Sequence, residues 1–167
     1  VASNGLATAG VTSGATLVGI KVCNVSGSCP TSGVLNGVLY AADIGLPVAN
    51  MSLGGTFERR AASAKGGAGP SFIATINQVF NYAHRKGTQM VVSAGNSNID
   101  MDHDGNGYKA YCSAPNVVCV SATGPTAQAG VNGPWTEPDA KASYSNYGVS
   151  SNNVAAPGGN GATAVWA

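Results

Sequence analysis

The sequence predicts an α/β fold, a mostly parallel sheet covered by helices. Two observations carry this. Short β-branched runs alternate with segments of helical spacing, in the order strand, helix, strand, helix, strand, and Gly or Pro marks most junctions. Parallel strands joined by helices take right-handed crossovers, which lay the helices against the sheet. A length of 167 residues suffices for one compact domain with its own core, and neither an internal repeat nor a second domain is visible.

The elements follow in order. Residues 16–22 are β-branched and alternating and predict a strand. A turn-rich loop, residues 24–30, reaches from Cys23 past Cys29. Thr31 or Ser32 then caps a helix whose apolar positions Val34, Leu35, Val38, Leu39, Ala42 and Ile44 recur at helical spacing, and Gly45 stops it. After Pro47, residues 48–53 predict a second strand, ended by Gly54 and Gly55. Residues 56–70 hold Arg59, Arg60 and Lys65 beside a Gly-Ala run without periodicity, and predict a surface loop. A second helix is predicted over residues 71–86. Phe72, Ile73, Ile76, Val79, Phe80 and Ala83 form its apolar face, Arg85 and Lys86 its basic last turn, and Gly87 its end. Residues 88–94 and 116–121 are further strands on either side of an Asp-rich loop. Residues 124–140 predict a loop with Trp135 and three prolines, followed by short extended pieces around residues 142–145 and 153–156.

Composition narrows the function classes. Charged residues are only 9% of the chain, far below the roughly 25% of an average domain, while Gly is frequent at 24 residues. That suits a rigid extracellular domain with many tight turns, and the apolar runs are too strong for a disordered chain. A net charge of +1 gives no electrostatic reason to expect nucleic acid or an anionic membrane as partner. No apolar stretch approaches the ~18 residues that span a bilayer. The four cysteines fall in two local pairs, Cys23 with Cys29 and Cys112 with Cys119, as small disulfide loops do. Zinc is the competing reading, but its usual short ligand spacings are missing and neither His stands near a pair; four buried free thiols are the bland one. Disulfides imply an oxidising compartment, so a secreted location is expected. Residues 1–5 hold no initiator Met and no signal-peptide pattern, and the chain stops on an apolar stretch, so both ends read as cut from something longer.

In open α/β sheets, ligands bind beyond the carboxyl ends of the strands. Two predicted strands finish in Ser52-Leu53-Gly54-Gly55 and Ser93-Ala94-Gly95-Asn96. Small residues at a strand end let another backbone approach, and an extended peptide laid there can pair with the exposed edge. Either motif alone is more often a plain chain reversal. Asn96 follows a buried strand, where its side-chain amide can donate to a developing oxyanion on a substrate carbonyl; the ordinary alternative is a turn Asn in a Gly-Asn-Ser-Asn run.

Taken together, the residues resemble the subtilisin-like (S8) serine proteases. The segments that carry the resemblance are Gly14-Ala15-Thr16-Leu17-Val18-Gly19-Ile20-Lys21-Val22, Asn50-Met51-Ser52-Leu53-Gly54-Gly55 and Val91-Val92-Ser93-Ala94-Gly95-Asn96. They continue through Ala114-Pro115-Asn116-Val117-Val118-Cys119-Val120-Ser121-Ala122, Ala142-Ser143-Tyr144-Ser145-Asn146-Tyr147-Gly148 and Asn153-Val154-Ala155-Ala156-Pro157-Gly158. Their order and spacing are the family's, across essentially the whole chain except inserted loops. The resemblance implies a three-layer αβα fold, incomplete here, with residues 1–167 as the central part of a catalytic domain. It implies that Ser52, Leu53 and Gly54 pair with an extended polypeptide substrate, that Ser93, Ala94 and Gly95 wall the primary specificity pocket, and that Asn96 is the oxyanion-hole asparagine. Residues 26–31 would be the other substrate-flanking strand, altered by Cys29 and Pro30. A monomer is expected.

The same resemblance implies three residues that this sequence does not show. The family's Asp lies in an Asp-Thr/Ser-Gly motif, its His in His-Gly-Thr and its Ser in Gly-Thr-Ser-Met, and none occurs here. A substitute triad is not expected. His84 falls in the last turn of its helix, at the amino-terminal edge of the sheet, and His103 sits among carboxylates in a loop. No Ser has a nucleophile-elbow context. The chain by itself is expected to be inert, and without the helix that bears the family's catalytic Ser, one sheet face is expected to lie partly uncovered. The leading function is thus part of a secreted endopeptidase acting through an acyl-enzyme, with a non-catalytic peptide-binding pseudoprotease module and a calcium-stabilised structural domain as alternatives.

No cofactor is needed for that chemistry, but structural calcium is a candidate. Asp100, Asp102 and Asp104 alternate ahead of Gly105, the first half of a calcium-loop pattern. The twelfth position is Tyr111 instead of a bidentate Glu, so the pattern is incomplete, and the plain alternative is a solvated acidic turn.

Overall fold

A computed structural model describes residues 10–59, 69–130 and 133–161. Among them, strands β1 (Val48–Met51), β3 (Gln89–Ser93), β5 (Val117–Thr123) and β8 (Val154–Pro157) form a sheet in the order β1-β3-β5-β8. Every pairing in it is parallel. Helix α1 (Thr31–Asp43) precedes β1 and α2 (Pro70–Arg85) precedes β3, so the predicted α/β class and its crossover order stand. Two antiparallel pairs flank the sheet: β2 (Gly55–Glu58) with β4 (Gly107–Ala110), and β6 (Ala127–Gln128) with β7 (Trp135–Thr136).

Both helices end as the sequence predicts. Gly45 (φ +73°) and Gly87 (φ +89°) take the left-handed conformation that a side chain disfavours, just past each helix. The starts differ. Pro30 holds the N-cap position of α1 and Gly69 that of α2, and neither supplies a side-chain cap. Thr31, predicted as a possible cap, is already helical; proline's fixed φ sets the entry instead.

Three predicted elements are corrected. Residues 16–22 are not a strand; Ile20 and Val22 lie against α1 and β1 across a cavity of about 140 Å³ that also takes in Val34, Gly37, Val38 and Ala49. Their side chains have an apolar surface to meet, but no ladder forms among the described residues, and a strand needs a hydrogen-bonding neighbour. The loop predicted over 56–70 opens with strand β2, which the Gly-Gly run concealed; Arg60 and Lys65 lie outside the described residues. Part of the predicted loop 124–140 is the β6–β7 hairpin, too short to show a periodicity.

The sheet has two unlike faces. Met51, Met90, Val92 and Cys119 are buried on one face, in a single core with Val34, Leu35 and Val38 of α1 and Ile76, Phe80 and Ala83 of α2. Phe80 stacks on Tyr111 with ring centroids 5.6 Å apart. On the other face, register brings Asn50, Val91, Val120, Ala122 and Ala156 together, and no helix of the described residues covers them. They line a cleft of about 660 Å³. Both cysteine pairs are disulfide-bonded. Cys112–Cys119 ties the turn after β4 to the middle of β5, and closing so short a loop contributes about 2 kcal/mol in the chain-entropy account.

The uncovered face carries a testable consequence. The 167-residue chain produced alone is expected to bind an environment-sensitive dye at Val91, Val120, Ala122 and Ala156 and to melt over a broad range. A sharp cooperative melt without dye fluorescence would count against it.

Candidate active site

A cleft of about 660 Å³ opens at the carboxyl ends of β1, β3 and β5. All seven residues predicted to bind or activate substrate line it: Ser52, Leu53 and Gly54 from β1's exit, and Ser93, Ala94, Gly95 and Asn96 from β3's. The two motifs, about forty residues apart in sequence, become neighbours because β1 and β3 are adjacent and in register, with Met51 opposite Val92. Across a second groove of about 270 Å³, Gly27, Cys29 and Thr31 face Leu53, Gly54 and Gly55. The stretch 26–31 therefore runs along the other side of the same backbone, pinned by the Cys23–Cys29 disulfide and by Asn24, whose Oδ1 accepts from the Ser26 and Ser28 amides.

Two glycines are required by close approach. A Cβ on Gly54 would sit 2.2 Å from the Ala110 carbonyl oxygen, so the strand exit can lie flat on β4 only without a side chain. Gly95 has φ +99°, and a Cβ there would come within 2.8 Å of Asn146 Nδ2. Its left-handed turn lifts Asn96 out of the strand, and Asn96 is exposed on the rim of the cleft.

The residue that fixes this turn is Asn146, which is 3% exposed. Its Nδ2 donates to the Ala94 carbonyl at 2.8 Å, while Oδ1 accepts from the Ser97 amide at 3.0 Å and the Ile99 amide at 3.1 Å. Its backbone amide donates to the Gly95 carbonyl at 3.0 Å. Asn146 thus brackets Asn96 on both sides. It is itself held by Ser121, whose hydroxyl donates to the Asn146 carbonyl at 3.0 Å. Residues 142–148 carry part of the family resemblance, which implies no role for Asn146. Nothing in a Ser-Asn-Tyr run shows that its amide reaches fifty residues back along the chain.

The Asp-rich loop is organised by hydrogen bonds to protein groups. Asp102 accepts from the Val149, Ser150 and Ser151 amides at 2.6, 3.0 and 3.0 Å and from both serine hydroxyls. Those bonds, Ser151's first, hold its carboxyl far below the usual carboxylate range. Asp100 contacts His103 Nδ1 at 2.8 Å, which lowers the pKa of Asp100 and raises that of His103. Asp104 pairs with Lys109 at 3.2 Å. Each of the three carboxylates has its own partner, and among the described residues no three His, Cys, Asp or Glu side chains gather as a metal-holding group.

Neither histidine lines the cleft. His84 is exposed at the end of α2, which leads into the amino-terminal end of β3, and His103 is exposed beside Asp100.

Comparison with known proteins agrees with this geometry. The model of the subtilase family matches residues 1–166. Thermitase from Thermoactinomyces vulgaris is 34% identical over 158 residues, covering 95% of this chain and 45% of thermitase. Subtilisin-like protease 7 from Arthroderma gypseum is 34% identical over 145 residues, 83% of this chain and 28% of that protein. Among solved structures, the nisin leader peptidase NisP from Lactococcus lactis superposes with a TM-score of 0.65 over 80% of this chain and 38% of its own, at 20% identity, a likeness of fold. The chain spans less than half the length of these relatives.

Two predictions follow from the geometry. Asn146→Ala strands the Ala94 carbonyl and the Ser97 and Ile99 amides; we expect a loss of about 2–4 kcal/mol in urea denaturation, and an unchanged midpoint would show the clamp to be idle. Asp102, whose pKa is depressed on folding, stabilises the loop above its ordinary value of 3.8 and loses that effect as pH falls through the folded value. His103, raised on folding, acts in the opposite sense: its contribution is full below 6.5 and fades as pH rises through the folded value. Melting curves from pH 2 to 5 should therefore be steep for the native protein and flatter, from a lower plateau, for Asp102→Asn. Parallel curves would refute the clamp.

Proposed function

Because the chain belongs to the subtilase family, we propose that it is the central part of a secreted serine endopeptidase that hydrolyses peptide bonds through an acyl-enzyme. The observation that carries this reading is the position of Asn96, on the rim of a cleft between two glycine-bearing strand exits. A binding module has no evident need for an oxyanion donor there. In the proposed reaction the substrate lies extended between residues 52–54 on one side and 26–31 on the other, a side chain beside the scissile bond enters the pocket walled by residues 93–95, and the scissile carbonyl meets the Asn96 amide. A serine hydroxyl adds to the carbonyl carbon and passes its proton to a histidine. The tetrahedral oxyanion accepts a hydrogen bond from Asn96 Nδ2, and collapse expels the amine, protonated by the same histidine. Water then repeats the sequence on the ester and frees the acid. Residues 1–167 carry none of the family's Asp, His or Ser motifs, so serine, histidine and its orienting aspartate are assigned to the rest of a longer chain.

Secretion is part of the same proposal, supported by the two disulfides and the scarcity of charge. No nucleic acid or membrane partner is proposed. Within the described residues no helix is long and apolar enough to cross a membrane. The calcium expectation for Asp100, Asp102 and Asp104 gains no support from their separate partners, and we propose that the loop is held by those partners themselves.

The test is Asn96→Ala in the full-length protein. It should lower kcat by about 10²–10³ with little change in KM, a magnitude known from a subtilisin. An unchanged kcat would remove Asn96 from the chemistry. A full-length protein that binds peptides and cleaves none would instead be a pseudoprotease.

A further inference from the structure

Lys109 stands out in the cleft. Among the described residues lining it, every other side chain is uncharged, and Lys109 is 5% exposed. It sits in β4 opposite Thr56 of β2, one residue before Ala110, whose carbonyl packs against Gly54. Lys109 therefore stands in the wall next to the backbone assigned to substrate pairing, with its ammonium held at the Asp104 side of that wall. Asp104 approaches it to 3.2 Å, and Asp104 is not part of the cleft lining.

Space for this pair is reserved. A Cβ on Gly107 would lie 2.4 Å from Asp104 Oδ2 and 3.2 Å from Lys109 Nζ, so a side chain at Gly107 would push the two apart. The nearby cation, Arg59, is turned to other partners: its Nε donates to the Gly107 carbonyl at 2.9 Å, and its guanidinium lies 5.3 Å from the centre of the Tyr108 ring. Burying an ammonium beside a cleft is costly, and one carboxylate offsets the cost only in part. An ammonium has three donors, and a carboxylate on one side leaves it able to take a further acceptor.

Resting on the endopeptidase reading, we infer that Lys109 is a specificity-determining residue which makes the cleft prefer a substrate with a carboxylate side chain at the subsite beside Gly54 and Gly55. A Glu side chain supplies the second acceptor as a charge-assisted hydrogen bond. A Gln amide supplies a weaker one and a Leu side chain none. A Lys side chain brings like charge against the ammonium.

The experiment uses the full-length protein and peptides that differ only in one residue, placed as Glu, Gln, Leu or Lys at each position around the cleaved bond. The expected result is one position at which kcat/KM for Glu exceeds that for Leu by about tenfold, with Gln between them and Lys lowest. Lys109→Met should bring the Glu-to-Leu ratio to one or below, and Lys109→Arg should keep it above one. Leu equal to or better than Glu at every position overturns the inference, as does a Glu preference that persists in Lys109→Met. Should Lys109→Met not fold, the native and Lys109→Arg scans decide. If no peptide is cleaved, the endopeptidase reading fails separately. Fluorescence polarisation with the same labelled peptides then decides on Lys109, tighter binding of the Glu peptide supporting it and equal binding overturning it.

Discussion

One buried amide organises the cleft side of this molecule. Asn146 reaches from the segment between β7 and β8 to the end of β3, where it satisfies a carbonyl and two amides that the left-handed turn at Gly95 takes out of the strand ladder. A strand exit is ordinarily pliable, because its backbone groups have lost their ladder partners. Here those groups are paired within the protein, so Asn96 projects from a braced corner. Preorganisation of this kind lets a donor act on a developing charge without first having to be ordered. Ser121 and Ser145, both buried, support the clamp through the Asn146 carbonyl, so the bracing extends into β5.

A second constraint is the division of labour between the sheet faces. Alternation along β3 sends Met90 and Val92 into the helix-covered core and Val91 and Ser93 toward the cleft. The hydrophobic free energy that holds the fold thus comes mainly from one face, and the other is left to shape a cavity. The Asp102 cluster belongs to the same economy: a carboxylate that collects three amides and two hydroxyls fastens the 96–106 loop to residues 149–151 where little apolar surface is available.

Much of this was legible in the sequence, for identifiable reasons. The long periodic segments gave α1 and α2 to within a residue or two, and Gly45 and Gly87 marked both ends, because helix spacing and left-handed glycines are local signals. The strand-exit motifs Ser52-Leu53-Gly54 and Ser93-Ala94-Gly95-Asn96 pointed to the cleft because small residues at a parallel-strand end have a local backbone reason to be there. What stayed hidden was long-range. Residues 16–22 have strand chemistry, but a ladder depends on a neighbour that composition does not reveal. Strands β2 and β4 are four residues each and pair across about fifty positions, so neither looks like a strand alone. Asn146 and Lys109 were missed for the same reason, since their partners are set by topology. The alternating aspartates were visible as a spacing, whereas the serine amides and hydroxyls that Asp102 accepts from lie nearly fifty residues away.

The pairing of Thr56 with Lys109 has an evolutionary reading. In a two-stranded ribbon, neighbouring side chains point to opposite sides, so a register slip of one residue exchanges what each side displays. Along β4 the sequence Tyr108-Lys109-Ala110 offers an aromatic, a cation and a methyl in succession. A single-residue insertion or deletion near Gly107 would set an aromatic ring or a methyl where Lys109 now lines the cleft, while leaving the parallel sheet and the turn at Gly95 in place. The ribbon is thus a place where the lining of the cleft can change without rebuilding the sheet that carries the two strand exits.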